Sequence, residues 1–246
     1  GVTILRGFWF KTIIKKLIGI KHKLLVGILI FLTISTSGQL PPYRVNHFGT
    51  KEGLSQGSIY AILKDSRGYM WFGSQDGLNI FDGKKISIYK PDPDQKRSVS
   101  GLKISGILED SNADVWVGHE NGLSRYDFEK DQFTNFFPGE EVLPIAFKFG
   151  KLWLMSSRKG YISLDVNNLK YSSFYKKIKY TPNFTSNFNS IEIISPTEYW
   201  IAENHGLVHF KNGKSTNYFS ENKNNVFGKH LNIIKIKLFD EKLYLG

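Results

Sequence analysis

Asp65-Ser66-Arg67-Gly68-Tyr69-Met70-Trp71-Phe72-Gly73-Ser74-Gln75-Asp76-Gly77-Leu78-Asn79-Ile80-Phe81-Asp82-Gly83 decides the fold, because its framework returns further along the chain. The pairs Asp65/Asp110, Trp71/Trp116, Gly77/Gly122 and Asp82/Asp127 all keep an offset of 45 residues. Two weaker copies follow around Trp153 and Trp200, so the tryptophan intervals run 45, 37 and 47 residues. A glycine trails each indole, at Gly77, Gly122, Gly160 and Gly206, and three of them precede an aspartate by five positions, Asp82, Asp127 and Asp165. A recurrence of this length marks an array of one small supersecondary unit.

Within the first copy, turn chemistry separates four short apolar runs. Ile59–Lys64 ends at Asp65-Ser66-Arg67-Gly68, and Tyr69–Ser74 ends at Gln75-Asp76-Gly77. Leu78–Phe81 is closed by Asp82-Gly83, and Ile86–Tyr89 completes the unit. Asp-Gly between strands predicts a hairpin, since glycine takes positive φ without a Cβ clash. Four strands in about 45 residues is the size of a propeller blade. The fold expected is therefore all-β: a β-propeller of four-stranded antiparallel blades. Its blades are expected at about 58–90, 103–137, 142–175 and 189–219, with two strands of a fifth at 231–246. Tyr43–Phe48 matches an outermost strand and is expected to close the ring by pairing with the last blade. On this reading, residues 39–246 are an incomplete propeller, part of a longer ring. The four tryptophans, in the second strand of each blade, are assigned to packing between neighbouring sheets. Asp65 and Asp110 are assigned to turns whose amides they satisfy.

Residues 1–38 read differently. Six basic residues and no acid flank or precede an apolar run of 11, Leu24–Ile34, which gives way to Ser35-Thr36-Ser37-Gly38. That is the pattern of a secretory signal peptide cleaved near Gly38, and the run is too short for a membrane span of about 20 residues. An uncleaved amphipathic anchor using Phe8, Trp9, Phe10, Ile13, Ile14 and Leu17 is the alternative. The leader also explains half the charge. The whole chain carries +11, but outside residues 1–38 the balance is 27 basic to 22 acidic. The group Lys176-Lys177-Ile178-Lys179 fits a protected strand edge, so no nucleic-acid partner is expected. Absence of cysteine excludes disulfides and thiolate metal sites.

These residues resemble the two-component regulator propeller repeat. The likeness rests on Glu52-Gly53-Leu54-Ser55, Ile59-Tyr60-Ala61-Ile62, Asp65-Ser66-Arg67-Gly68, Trp71-Phe72-Gly73, Asp76-Gly77-Leu78 and Phe81-Asp82-Gly83, and again on Trp116-Val117-Gly118, Asn121-Gly122-Leu123 and Tyr126-Asp127. Repeats three and four are looser, with Met155 and Ala202 where the earlier copies have glycine. The WD40 and kelch patterns fit less well. The resemblance implies the extracytoplasmic sensor of a bacterial hybrid two-component system, periplasmic and anchored through parts outside these residues, with an oligosaccharide as stimulus. It also leaves a homodimer of the parent protein open.

No catalytic constellation, cofactor motif or metal site emerges. Gly213-Lys214-Ser215 lacks the upstream glycine of a phosphate loop. His205 and His209 lie too far apart along a strand to share one zinc, and Asp92-Pro93-Asp94 is followed by Lys96 and Arg97, not further acids. Asn183-Phe184-Thr185 is a sequon without consequence in a periplasmic protein. A receptor of this build would bind its ligand on rim loops. Asp76, Arg97, His119, Glu120, Arg158, Glu203 and His205 are the candidate contacts, together with the polar stretch 180–189. Polar groups converging with aromatic faces suit a sugar. The rival readings are a propeller enzyme resembling streptogramin lyase and a protein-interaction scaffold.

Overall fold

Tight turns cut the chain into short strands that pair only with their sequence neighbours. The computed structural model describes residues 47–92, 94–95, 97–175, 190–203, 206–218, 235–240 and 242–245. The expected leader, residues 43–46, the Lys176–Lys179 group, the stretch 180–189, Asn204 and His205 lie outside the described residues. Residues 47–246 form a unit of their own.

The first blade is β1 (Ile59–Lys64), β2 (Met70–Ser74), β3 (Gly77–Phe81) and β4 (Ile86–Tyr89). The second is β5 (Ile104–Glu109), β6 (Val115–His119), β7 (Gly122–Asp127) and β8 (Gln132–Phe136). The third is β9 (Val142–Lys148), β10 (Lys151–Ser156), β11 (Gly160–Asp165) and β12 (Tyr171–Tyr175). The fourth is β13 (Ser190–Ser195), β14 (Glu198–Glu203), β15 (Gly206–Lys211) and β16 (Lys214–Tyr218), and β17 (Ile236–Phe239) pairs with β18 (Lys242–Leu245). Every sheet is an antiparallel meander. Among the described residues the helical content is a single 3-10 turn at Thr50–Glu52. The chain is a β-propeller.

The repeated aspartates build the turns. Asp65 Oδ1 accepts the amides of Arg67 and Tyr69, at 3.1 and 2.8 Å, while Oδ2 accepts Trp71 Nε1–H at 2.9 Å. Asp110 does the same for Asn112, Asp114 and Trp116 Nε1, the last at 2.8 Å. One buried carboxylate thus satisfies a turn and an indole together, which the turn-forming assignment only half anticipates. At the third-to-fourth strand turns, Asp82, Asp127 and Asp165 each accept two amides with Oδ1. Those amides hold the exposed Asp82 carboxyl below the usual range. Blade 4 has Lys211 at this position and uses an Asn212-Gly213 hairpin instead, with φ of 51° and 77°.

Gly77 and Gly122 open the third strands and do not occupy the hairpin loops, which are Gln75-Asp76 and Glu120-Asn121. Both have positive φ, 114° and 139°. A Cβ on Gly77 would stand 2.7 Å from Tyr89 O, and one on Gly122 2.4 Å from Phe136 O. Close approach to the fourth strand requires glycine as much as φ does.

Blades pack face to face through the indoles. Trp71 sits with Val115, Val117, Tyr126 and Phe133 of blade 2, and Trp116 with Leu152, Leu154, Ile162 and Leu164 of blade 3. Trp153 sits with Ile193, Tyr199, Ile201 and Val208 of blade 4. These three rings are 0–1% exposed. Burying one is worth about 5 kcal/mol at roughly 25 cal/mol per Å² over ~200 Å² of ring surface. Trp200 follows the same rule toward the next sheet, with Ile236 and Leu243, but remains half-buried. Its neighbouring sheet has two strands among the described residues, so less surface covers the ring. Trp200 instead stacks on His209 at 4.0 Å.

The glycine two residues after the indole sets blade spacing near the axis. A Cβ on Gly73 would come 2.5 Å from Ile104, and one on Gly118 2.2 Å from Pro144 Cδ. The first strands of blades 1, 2 and 3 accordingly lie against one another. Blade 3 carries Met155 at this place, buried among blade 4 residues, and the approach of β9 to β13 is weaker.

Candidate functional site

One rim is built from the second-to-third strand hairpins and the blade-to-blade connections. Each sequence-derived candidate occupies a distinct place on it, or off it. Asp76 lies in the blade 1 hairpin and pairs with Lys90 at 2.7 Å, tying the hairpin to the exit of β4. Glu120 turns both carboxylate oxygens to the amides of Leu102 and Lys103, at 2.9 and 2.8 Å. Arg158 is exposed on the blade 3 hairpin, with its guanidinium beside Gly139. Glu203 ends β14, and His205 falls outside the described residues.

Arg97 and His119 depart from the rim. Segment 97–103 starts at the outer edge of blade 2, where Phe133 N–H donates to Arg97 O at 2.8 Å and Arg97 reaches Gln132 Oε1 at 2.5 Å, and rises across the blade to the rim, where Gly77 N–H donates to Leu102 O. Arg97 therefore sits near the opposite end of β8, because the connection is long enough to fold over the blade. His119 is the last residue of β6 and is fully buried. Its ring fills the space above Gly101, where a Cβ would lie 2.4 Å from Nδ1. Burial alone lowers its pKa from 6.5 to about 4.

Beneath the rim lie polar groups that, His119 apart, sequence reasoning missed. In blade 1, Ser55 N–H donates to Asn79 Oδ1 at 2.8 Å, Asn79 Nδ2–H returns to Ser55 Oγ, and Ser74 Oγ–H donates to Gly77 O. In blade 2, Ser100, His119 and Ser124 take these places, and Ser124 Oγ–H donates to Asn135 Oδ1. In blade 3, the buried Glu140 accepts from Ser156 Oγ and pairs with Lys159. The pairs Ser55/Ser100, Ser74/His119 and Asn79/Ser124 keep the same 45-residue offset as the tryptophans, which was the available signal. Glu140 had none, since its connection is shorter.

Glu141 and Lys103 face each other at 3.9 Å between blades 2 and 3, with the Glu141 side chain 14% exposed. Burial raises its carboxyl pKa, the Lys103 ammonium opposes that, and Glu120 adds to it. Arg158, Lys103 and Glu141 thus leave donors and an acceptor less committed than those of Asp76 or Glu120. Tyr60, 55% exposed, adds an aromatic face whose hydroxyl donates to Gln75 Oε1 at 3.4 Å. The His119–Ser124 pair has the spacing of a base and nucleophile, 2.8 Å. However, the Ser124 proton points to Asn135 Oδ1, and both residues are buried. This serine is not activated.

Comparison with known proteins identifies the repeat. Residues 53–76 match the model of the two component regulator propeller. That stretch is similar to a two component regulator propeller repeat. Seventy residues are 40% identical to Histidine kinase P4 of Formosa agariphila, a match over 28% of this chain and 5% of that protein. Two solved structures share the propeller fold, both extracellular domains of putative hybrid two component systems from B. thetaiotaomicron. One aligns with a TM-score of 0.59 at 19% identity over 83% of this chain and 34% of the other. The second gives 0.59 at 12% identity over 85% and 27%. The chain therefore spans a small part of its curated relative and about a third of these structures. No helix among the described residues is long and apolar enough to cross a membrane.

Proposed function

We propose that this regulator propeller is the sensing part of a two-component system, lies outside the cytoplasm, and acts by binding an oligosaccharide, not by catalysis. The observation that carries the reading is the repeat at 53–76 together with the 40% identity to a histidine kinase. The relation to extracellular domains of hybrid two component systems supports the location. The rim supports the ligand class: Arg158, Lys103 and Glu141 offer donors and an acceptor to hydroxyls, and Tyr60 offers a flat apolar face. Binding would act by favouring one arrangement of the receptor over another, and only a difference in affinity between the two can shift that balance. Isothermal calorimetry of the chain against a panel of neutral and acidic oligosaccharides tests the reading. Saturable heat from at least one saccharide is expected, reduced at least about tenfold in affinity by Arg158→Ala or Glu141→Gln. Absence of heat across the panel overturns it.

A further inference from the structure

The slot beneath the rim is filled differently in each of the first three blades. Blade 1 places the small Ser74 at the end of β2 and Gln56 on the crossing segment; blade 3 places Ser156 opposite Glu140. Blade 2 reverses the sizes, with His119 on the strand and Gly101 on the segment. Among these, the imidazole is the group that can gain a proton without already holding a charged partner.

Hydrogen bonds around that ring run in one direction. Asn121 N–H donates to His119 Nδ1 at 3.3 Å, so Nε2 carries the ring proton and donates to Ser124 Oγ at 2.8 Å, with Ser100 Oγ 3.4 Å away. Ser124 Oγ–H donates to Asn135 Oδ1 at 2.6 Å, and Asn135 Nδ2–H donates to Ser98 O at 2.9 Å. The relay starts in the rim hairpin and ends on segment 97–103, which Asn121 Nδ2–H also fastens through Ser100 O at 2.8 Å.

We propose that His119 is an acid-operated latch whose protonation releases segment 97–103 from the edge of blade 2. The added proton would sit on Nδ1, where the Asn121 amide already points, and would bury a cation. The ionisable groups on surrounding elements face partners other than the His119 ring. Glu120 holds the Leu102 and Lys103 amides, Lys103 faces Glu141, Glu140 holds Ser156 and Lys159, and Arg97 reaches Gln132. Because burial lowers the ring's pKa from 6.5 to about 4, the released form binds the proton more readily than the latched form. The latch is therefore held above pH 6.5, weakens as pH falls through that value, and is lost by about 4. The latch would also move Lys103 of the rim, but its test needs no ligand.

Hydrogen exchange of the folded chain, corrected for intrinsic rates at each pH, tests it. Between pH 6.5 and 4, segment 97–103 should lose at least about tenfold in protection, while segment 54–58, the non-titrating counterpart in blade 1, keeps its own. The double variant His119→Ser/Gly101→Gln copies the blade 1 slot and should abolish the pH response. Ser124→Ala cuts the relay beyond the ring and should lower protection of 97–103 about tenfold at pH 7. Constant protection of 97–103 in the wild type, or an unchanged response in the double variant, overturns the proposal. Should the double variant not fold, undiminished protection in Ser124→Ala at pH 7 overturns it as well.

Discussion

A single carboxylate shows how much one residue decides in this chain. Asp110 closes a turn with one oxygen, through the amides of exposed Asn112 and half-buried Asp114, and holds the Trp116 indole with the other, the carboxylate and the indole both being buried. Removing it leaves the buried indole N–H without an acceptor, at a cost of about 1–3 kcal/mol, and undoes the turn as well. Asp110→Ala should therefore lower stability by about 2–4 kcal/mol in urea denaturation. Asp127→Ala, at an exposed turn with the same two-amide pattern, should cost below about 1 kcal/mol. Glu141 offers the opposite sign. Its folded pKa is raised, chiefly by burial, so ionisation weakens the fold as pH rises through that value. Glu141→Gln should raise the urea midpoint slightly at pH 7 and leave it unchanged at pH 4, where the native carboxyl binds its proton.

At the scale of the element, spacing between blades rests on what stands beside the axis. Gly118 faces Pro144 Cδ at 2.2 Å and Val142 O at 2.4 Å once a Cβ is added, so neither neighbour can yield cheaply. Pro144 tolerates this position because β9 is an edge strand, where a missing amide proton goes unnoticed. Gly118→Ala should cost about 1–3 kcal/mol by overpacking, whereas Gly150→Ala, which meets open space, carries only the strain of φ +70°. The indoles rank by cover. Trp153→Ala should cost about 3–5 kcal/mol, as large cavities do, and Trp200→Ala distinctly less, because its ring is already half exposed. Thermal unfolding of the two variants side by side checks the order.

Across the whole molecule, the repeat was legible because each copy must meet the same constraints. An indole needs a partner, a tight turn needs an aspartate, and a close backbone approach needs glycine; these requirements recur at one interval and so show in sequence. The rim candidates were harder to read. Asp76 and Glu120 lie in hairpins as their spacing implied, yet their carboxylates bind Lys90 and two backbone amides. Arg97 was misplaced because nothing in a connection's length says which way it folds, and here it descends blade 2. His119 looked like a hairpin group, but lies one residue inside the strand, and that residue separates a solvated side chain from a buried one.

From its residues alone, the chain was bound to form small antiparallel sheets stacked through their tryptophans, because strand alternation, turn residues and the indole phase are local or repeated demands. Which polar groups remain uncommitted was settled only in three dimensions. A hydrogen bond between positions 20 or more residues apart, such as Asn121 Nδ2–H to Ser100 O, depends on loops meeting in space. No interval in sequence encodes that meeting.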